Sequence, residues 1–323
     1  MLLTFLAAEN CFASGIASML DMFVVANRWH EHMSGKSEPL FTTEIVSPGG
    51  TPVISGGCMQ LLPSRPVEGA DATDFVLLPP FIPLPDCSTA GFAGIRDWIG
   101  KRYRDGVPVA AMCTGSFLLA ETGLLDNKRA TTNWQFAGKF KRYYPQVDLR
   151  IEEILTEDSG LICSGAATSI YNLGLMIIGR YGSAELAAAC GKALLVDSSR
   201  SSQAPYFVRQ QNKYHRDEEI LKAQRYLEQN YPNICRIDEV AEHVHLSSRH
   251  FKRRFRQATG QSPIQYLQMV RIDAARQRLE LSHDTVEQIT AGVGYEDCST
   301  FRRLFKNTTT LSPREYRDKF LRM

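Results

Sequence analysis

One cysteine stands where a chain can place a reactive group. Residues 107–112, Val-Pro-Val-Ala-Ala-Met, are typical of a buried strand. The chain then passes directly into Cys-Thr-Gly-Ser at positions 113–116 and a helix predicted over 117–122. A strand that turns at once into a helix is the geometry of a nucleophile elbow. The thiol would lie at a helix N-terminus, where backbone N–H groups favour the thiolate. Cys113 is therefore either a reactive or ligand-contacting thiol, or a small buried residue at a tight turn.

A second kind of chemistry is indicated near the C-terminus, where cations follow a helical spacing. Asp297 is a suitable N-cap. Phe301 and Phe305 are four residues apart, so both are predicted to face inward. The cations fall on the other faces of the same helix: Arg302, Arg303 and Lys306. An apolar stripe beneath a cationic face suits a helix that rests on its own domain and enters a DNA groove.

The pattern occurs twice, which makes a chance resemblance a poor explanation. Val240 corresponds to Ile289 at an offset of 49 residues. Phe251 corresponds to Phe301 at an offset of 50 residues, because one residue is inserted between the helices. We therefore predict two helix-turn-helix units, at residues 237–258 and 286–308.

Residues 263–281 are predicted to form one long helix that joins the two units. Its inward side is predicted to carry Ile264, Leu267, Val270, Ala274 and Leu279. Nineteen residues at a rise of about 1.5 Å each give about 28 Å. Adjacent turns of the major groove are spaced by roughly 34 Å. A rigid spacer of this length can hold two recognition helices in successive grooves on one face of DNA.

The first two-thirds of the chain alternate strand and helix patterns, which predicts a doubly wound α/β domain. The segment 198–205, Ser-Ser-Arg-Ser-Ser-Gln-Ala-Pro, is typical of a linker. The predicted organisation is an α/β domain at residues 1–197, a linker at 198–215 and an all-α domain at 216–323. Ligands of doubly wound sheets bind at the carboxyl ends of the strands, so Cys113 lies at a predicted binding edge.

Charge and cysteine usage narrow the class of protein. The net charge is +2, while residues 216–323 hold 19 Lys and Arg against 15 Asp and Glu, a mildly basic balance that suits nucleic acid. No two of the eight cysteines are closer than 26 residues, so we expect no disulfide framework and no metal site. The N-terminus meets Glu9 without a basic region before it, and there is no apolar run of about 18 residues, so we expect neither a signal peptide nor a membrane span.

The N-terminal segments resemble the DJ-1/PfpI branch of the class I glutamine amidotransferase-like superfamily, which has a flavodoxin-like fold. The resemblance is carried by residues 74–79, 107–119 and 130–134 and covers roughly residues 1–195. In catalytic members the elbow cysteine pairs with a histidine, but here Thr114 follows it and no histidine lies between His32 and His215. We therefore expect no catalytic residue and no cofactor. The expected ligand-binding residues are Cys113, Thr114, Asn133 and Asp21.

Residues 216–323 resemble the AraC/XylS family of transcription regulators, through Gly-Tyr-Glu-Asp-Cys-Ser-Thr-Phe-Arg-Arg-Leu-Phe-Lys at 294–306 and Ser-Pro-Arg-Glu-Tyr-Arg at 312–317. The resemblance implies base contacts from an exposed face of each recognition helix. In the first unit these residues are Arg249, Lys252 and Arg253. In the second they are Cys298, Ser299, Arg302 and Arg303. His250 and Arg256 are expected to contact the DNA backbone, and Lys306 is also expected to bind DNA, whereas Arg254 is expected to form a structural ion pair.

Together the two resemblances imply a cytoplasmic, sequence-specific transcription regulator, expected to be an activator and a homodimer that contacts RNA polymerase. Its N-terminal domain would bind a small metabolite, such as an amine or amino-acid derivative. Two alternatives stay open. One is an enzyme of hydrolase, amidase or deglycase type that depends on Cys113 and carries a DNA-binding domain. The other is a thiol redox sensor.

Overall fold

The chain folds into two compact units, Met1–Gln203 and Ala204–Met323. The structure, a computed structural model, describes residues 1–323 apart from 86–89, 198–199, 208–212, 214, 235 and 322–323, and apart from the side chains of 90 and 91. The division falls inside the predicted linker 198–215, of which residues 198–199, 208–212 and 214 lie outside the described part.

A seven-stranded sheet forms the centre of the N-terminal unit. Its strands are β1 Leu2–Leu6, β2 Thr42–Ser47, β3 Arg65–Pro66, β4 Phe75–Leu78, β5 Val109–Met112, β6 Leu155–Asp158 and β7 Leu161–Ser164. Their spatial order is β6-β7-β5-β4-β1-β2-β3, and all neighbours are parallel except β6 and β7. Every residue of β4, β5 and β7 is buried, as expected for parallel strands covered on both faces.

The helices of this unit are α1 Ala13–Ser34, α2 Ala90–Arg104, α3 Gly115–Glu121, α4 Ala137–Tyr143, α5 Ser169–Tyr181 and α6 Ala184–Ala193. Helices α1, α5 and α6 pack against one another, and α2 packs against α3. Two short strand pairs lie outside the main sheet: Val53–Ile54 with Gln60–Leu61, and Arg129–Ala130 with Asp148–Leu149. The predicted doubly wound, flavodoxin-like architecture is confirmed.

The C-terminal unit is helical throughout its regular structure. Its helices are α7 Glu218–Asn230, α8 Ile237–His243, α9 Ser248–Thr259, α10 Pro263–Leu281, α11 Val286–Gly292, α12 Cys298–Thr309 and α13 Pro313–Phe320. The helix pairs α8–α9 and α11–α12 are the two predicted helix-turn-helix units, and α10 joins them.

Two separate hydrophobic cores lie on either side of the middle of α10. Tyr266, Leu267 and Val270 belong to the first core, with buried residues from α7, α8 and α9. Ile272 begins the second core, which continues into α11, α12 and α13. A single helix therefore supplies side chains to both units, and this shared use is why its sequence has a weak one-sided pattern.

Local sequence signals set the helix starts. Capping boxes begin α10, α11 and α13, in which a hydroxyl residue and a glutamine or glutamate three positions on satisfy each other's backbone N–H groups. Asp297 caps α12, with its carboxylate accepting from the N–H groups of Ser299 and Thr300 at 3.2 and 2.7 Å.

Three sequence-based details differ from the structure. Ile264 was expected to face inward, but it is 48% exposed, because it occupies the first turn of α10 opposite the core residues. Helix α3 begins at Gly115 rather than at 117, since the chain enters the helix directly after the elbow. The apolar pattern predicts the first helix over residues 12–30, whereas α1 continues to Ser34, where Gly35 ends it in a left-handed conformation. Within the described residues, no helix is both long and apolar enough to cross a membrane.

Phe305 is fully buried in the second core, so Phe305→Ala should lower the free energy of unfolding of the C-terminal unit by about 3–5 kcal/mol. The matched control is Asn307→Ala on the exposed face of the same helix, expected to change it by less than about 0.5 kcal/mol. Urea unfolding followed by far-UV circular dichroism measures both. Equal effects of the two changes would contradict the assignment of the core.

Candidate functional site

The elbow after β5 is held in a conformation that few side chains adopt. Cys113 has φ of 53°, a left-handed value that is uncommon outside glycine and asparagine. Its backbone N–H donates to the carbonyl oxygen of Ser164 at 3.0 Å, which extends the pairing with β7. Two residues on, a Cβ atom at Gly115 would lie 2.5 Å from the carbonyl oxygen of Pro79. Glycine is therefore required for α3 to start so close to the end of β4.

Burial dominates the chemistry of the Cys113 thiol. The side chain is 3% exposed, and desolvation raises its pKa above the usual range. Hydrogen bonds from the backbone of Thr114 and from the side chains of Asn133 and Thr114 counteract that rise only in part. Because the thiolate is the nucleophilic form, the geometry favours a small buried residue at a tight turn over an activated nucleophile.

The four expected ligand-binding residues are not brought together as one group. Thr114 is fully buried, and its hydroxyl group hydrogen-bonds with both the N–H and the carbonyl oxygen of Phe81, at 2.8 and 2.7 Å. Asn133 is half-buried beside Cys113, with its Oδ1 accepting from the N–H of Gln135. Asp21 lies on the exposed face of α1, so its placement gives no support to a role beside Cys113.

Two hydroxyl residues that the sequence did not single out hold the elbow from behind. The hydroxyl oxygens of Ser116 and Thr132 lie 2.9 and 3.1 Å from the carbonyl oxygen of Cys113 and 2.8 Å from each other. Both residues are fully buried. The segment that contains Thr131, Thr132 and Asn133 is thereby tied to the elbow.

Gln203, the last residue of the N-terminal unit, is docked against that same segment. Its side-chain nitrogen donates to the carbonyl oxygens of Thr132 and Ile151, at 3.0 and 2.7 Å, and to the hydroxyl of Thr131, at 3.1 Å. Its Oε1 accepts from the N–H of Ala166 at 3.1 Å. A Cβ atom at Gly165 would lie 2.7 Å from the amide group. A polar linker sequence gives no signal of such an anchor.

The helices α9 and α12 present the same burial pattern, position by position. Phe251, Phe255 and Thr259 are buried on α9, and the matching buried residues on α12 are Phe301, Phe305 and Thr309. The predicted contact residues are exposed, namely Arg249, His250, Lys252, Arg253 and Arg256 on the first helix and Ser299, Arg302, Arg303 and Lys306 on the second, whereas Cys298 is half-buried. Each helix therefore offers one exposed cationic face.

In both units an acidic residue of the preceding helix pairs with a cation of that face. The Lys252 ammonium lies 3.5 Å from the Asp238 carboxylate, and the Arg302 guanidinium lies 2.6 Å from the Glu287 carboxylate. Exposed pairs of this kind contribute little to stability. Their recurrence at equivalent positions indicates that they orient the cations. The offset of 49 residues places Asp238 and Glu287 at equivalent positions in the sequence, but it does not show which cations they contact.

Arg254 points to the other side of α9, where its guanidinium contacts the Asp217 carboxylate at 2.6 Å. The expected structural ion pair is thus confirmed.

Each unit also has a cleft beside the start of the helix that follows. In the first unit the cations of α9 face Ser262, Pro263 and Ile264. In the second unit those of α12 face Ser312, Pro313 and Arg314. Arg314 adds a cation where the first unit has Ile264, 50 residues earlier, so the repeat itself does not predict it.

Cys113 should react slowly with alkylating agents, because burial raises its pKa and lowers the fraction of thiolate. Cys58 is the internal control, since it is exposed and also has a positive φ. With iodoacetamide at pH 7.5, modification of Cys113 is expected to be at least about tenfold slower. Peptide mass spectrometry of the intact folded chain measures both rates, and faster modification of Cys113 would restore the reactive-thiol reading.

Gln203→Ala should release residues 200–203 from the N-terminal unit, since it removes several buried hydrogen bonds. Trypsin cleavage after Arg200 is then expected to be about tenfold faster. Ser202→Ala serves as the control, because its hydroxyl donates a hydrogen bond to the carbonyl oxygen of Glu152 at a more exposed position. Fragments are followed by gel electrophoresis and mass spectrometry. An unchanged rate in Gln203→Ala would show that the anchor is not required.

Comparisons with known proteins agree with both halves of this description. The model of a helix-turn-helix domain matches residues 240–319, and that of the DJ-1/PfpI family matches residues 39–180. The HTH-type transcriptional regulator CdhR of Pseudomonas aeruginosa is 26% identical over 321 residues, which cover 97% of this chain and 90% of that protein. The HTH-type transcriptional regulator GbdR of the same species is 23% identical over 97% of this chain and 83% of its own length.

Solved structures match the α/β fold of the N-terminal unit. Drosophila melanogaster DJ-1beta superposes with a TM-score of 0.51 at 18% identity, over 61% of this chain and 98% of that one. An AraC family transcriptional regulator from Pseudomonas putida gives 0.51 at 15% identity, over 60% and 98%. The chain therefore joins a DJ-1/PfpI domain to an AraC-type helix-turn-helix domain and is a relative of the HTH-type transcriptional regulators.

Proposed function

We propose that the chain is a sequence-specific, DNA-binding transcription regulator that inserts α9 and α12 into successive major grooves of one duplex. The observation that carries this proposal is the repeated exposed cationic face, present on two helices that flank the 19-residue helix α10. That helix is about 28 Å long, close to the groove repeat of roughly 34 Å. Cationic faces that only contact solvent would not have to occur twice or lie about one groove repeat apart.

Within each face the proposed roles differ by side-chain chemistry. Arg249 and Arg253 in the first unit, with Arg302 and Arg303 in the second, can each donate two hydrogen bonds to guanine. The remaining cations and His250 suit phosphate oxygens, which fix the position of the protein without reading sequence. Cys298 and Ser299 are weaker base readers, so we assign most of the sequence discrimination of the second unit to its two arginines.

The N-terminal unit is proposed to bind a small effector at the carboxyl ends of β4 and β5, near Cys113 and Asn133. The proposed class is an amine or amino-acid derivative. An effector there would bear on the segment that contains Thr132, and through it on the docked Gln203, after which the chain enters the C-terminal unit. An effector can shift such an arrangement only as far as it binds one state better than the other. We further propose a cytoplasmic homodimer that activates transcription through RNA polymerase.

A non-enzymatic role is proposed because no described residue beside the elbow offers the base that acyl transfer needs. Nucleophilic catalysis by cysteine depends on a lowered pKa or an adjacent base, whereas burial raises the pKa of Cys113. Asn133 cannot act as a base. The same burial argues against a thiol redox sensor, since oxidation follows thiolate character and exposure.

The direct test is selection of duplexes from a random-sequence library by the purified full chain, followed by sequencing. The expected result is a consensus of two segments about one helical turn apart. No enrichment with or without cell-extract metabolites would contradict the proposed function.

Arg303→Ala should cost about 1–3 kcal/mol of binding free energy at a few base positions and relax specificity there. Lys306→Ala on the same helix is the matched control, expected to weaken binding equally for all sequences and to lower the salt slope by about one. Fluorescence anisotropy on single-base variants of the selected duplex measures both. A uniform loss in Arg303→Ala would mean that Arg303 contacts phosphate instead.

A further inference from the structure

The two helix-turn-helix units meet around one arginine in the middle of α10. Arg271 lies between Val270, the last α10 residue of the first core, and Ile272, the first of the second core. Its Nε donates to the carbonyl oxygen of Tyr231 at 2.9 Å, and one terminal nitrogen donates to that of Ile234 at 2.8 Å. Arg271 thereby binds the loop between α7 and α8, which belongs to the first unit.

The same guanidinium contacts the turn of the second unit. It lies over the ring of Tyr295, 5.1 Å from the ring centroid, at a distance that permits cation–π attraction. A Cβ atom at Gly294 would lie 2.9 Å from a guanidinium nitrogen and 2.5 Å from the carbonyl oxygen of Pro232. The turn of the second unit is therefore in direct contact with the loop of the first, and Arg271 bridges the two.

The corresponding turn of the first unit has no such requirement. His245 stands at the position equivalent to Gly294, 49 residues earlier. It also has a positive φ, 52° against 87°, yet it is exposed and carries a full side chain. Backbone conformation alone thus tolerates a non-glycine residue in this turn. Glycine is required at 294 because the Pro232 carbonyl oxygen leaves no room for a Cβ atom there. The sequence of the turn is therefore matched to this contact between the two units.

A guanidinium held in this way resists rotation of one unit about the axis of α10. Its planar fork satisfies two carbonyl oxygens in a fixed direction, and a rotation would separate the Tyr295 ring from the cation. We propose that Arg271 is a positioning residue that fixes the orientation of α12 relative to α9, and so sets how strictly the protein demands one spacing between its two DNA segments. This inference rests on the proposed function.

Base-pair insertions test this role directly. One added base pair between the two segments moves the second by about 3.4 Å and turns it by about 34°. The test compares the selected duplex with versions that carry one base pair more or one fewer. Wild type is expected to lose at least about tenfold in affinity on each altered duplex. Arg271→Ala should bind the original duplex about three- to tenfold more weakly, yet lose less than about threefold on the altered ones.

Two further variants separate orientation from stability. Gly294→Ala places a Cβ atom against Pro232 and should relax the spacing requirement as Arg271→Ala does. His245→Ala is its matched control, because it also places alanine at a positive φ in the equivalent turn, but at an exposed position where it removes atoms instead of adding one, so the spacing penalty should stay at the wild-type value. Arg271→Lys keeps the charge without the fork and should fall between wild type and Arg271→Ala. Thermal unfolding by circular dichroism confirms that each variant is folded.

The outcomes distinguish the two proposals. If wild type selects no DNA sequence, the proposed function fails. If wild type is strict about spacing and both Arg271→Ala and Gly294→Ala are equally strict, the positioning role is wrong while the function stands. If only Arg271→Ala fails to fold, Gly294→Ala and Arg271→Lys decide the question.

Discussion

The arrangement of the C-terminal unit depends on α10 serving two hydrophobic cores at once. Because the core residues change from one unit to the other between Val270 and Ile272, any bend there would move α12 relative to α9. Each unit buries its own phenylalanine pair, so each can hold its cationic face without help from the other. Neither unit alone sets the distance between the two cationic faces. That distance is a property of the helix, and the contacts around its midpoint preserve it.

Much of this unit could be predicted because its determinants are local. The spacing of Phe301 and Phe305, the hydroxyl caps and the near-50-residue repeat lie within a few helical turns, where the 3.6-residue period constrains them strongly. The acidic partners of Lys252 and Arg302 were missed because they depend on how two helices cross. Ile264 was misplaced for a related reason. A helix that packs into two cores buries different faces along its length. A prediction that assumes one apolar face for the whole helix therefore misplaces residues near the ends.

The N-terminal unit was predictable in architecture but less so in its strand-end residues. Alternating buried strands and helices identify a doubly wound sheet, and the elbow follows from one strand–glycine–helix junction. The contacts of Cys113 come from segments distant along the chain: Thr132, Asn133 and Ser164. Sequence patterns carry no information on such contacts. Such contacts determine whether the thiol is exposed or buried. Here they bury it, which disfavours the thiolate that a helix N-terminus alone would favour.

In the proposed function, the acidic residues beside the two cationic faces would affect how the protein searches a genome for its operators. Half-buried Asp238 and exposed Glu287 pair with Lys252 and Arg302, so in the proposed function they would reduce the attraction of each face for the phosphates of any duplex. Hydrogen bonds from the arginines to guanine edges, as proposed, would offset that loss only at the recognised sequence. The lifetime of non-specific complexes would then fall more than the lifetime of the complex with the recognised sequence. A cell offers millions of competing positions. Weaker binding to all of them leaves more of the regulator free to occupy its few operators.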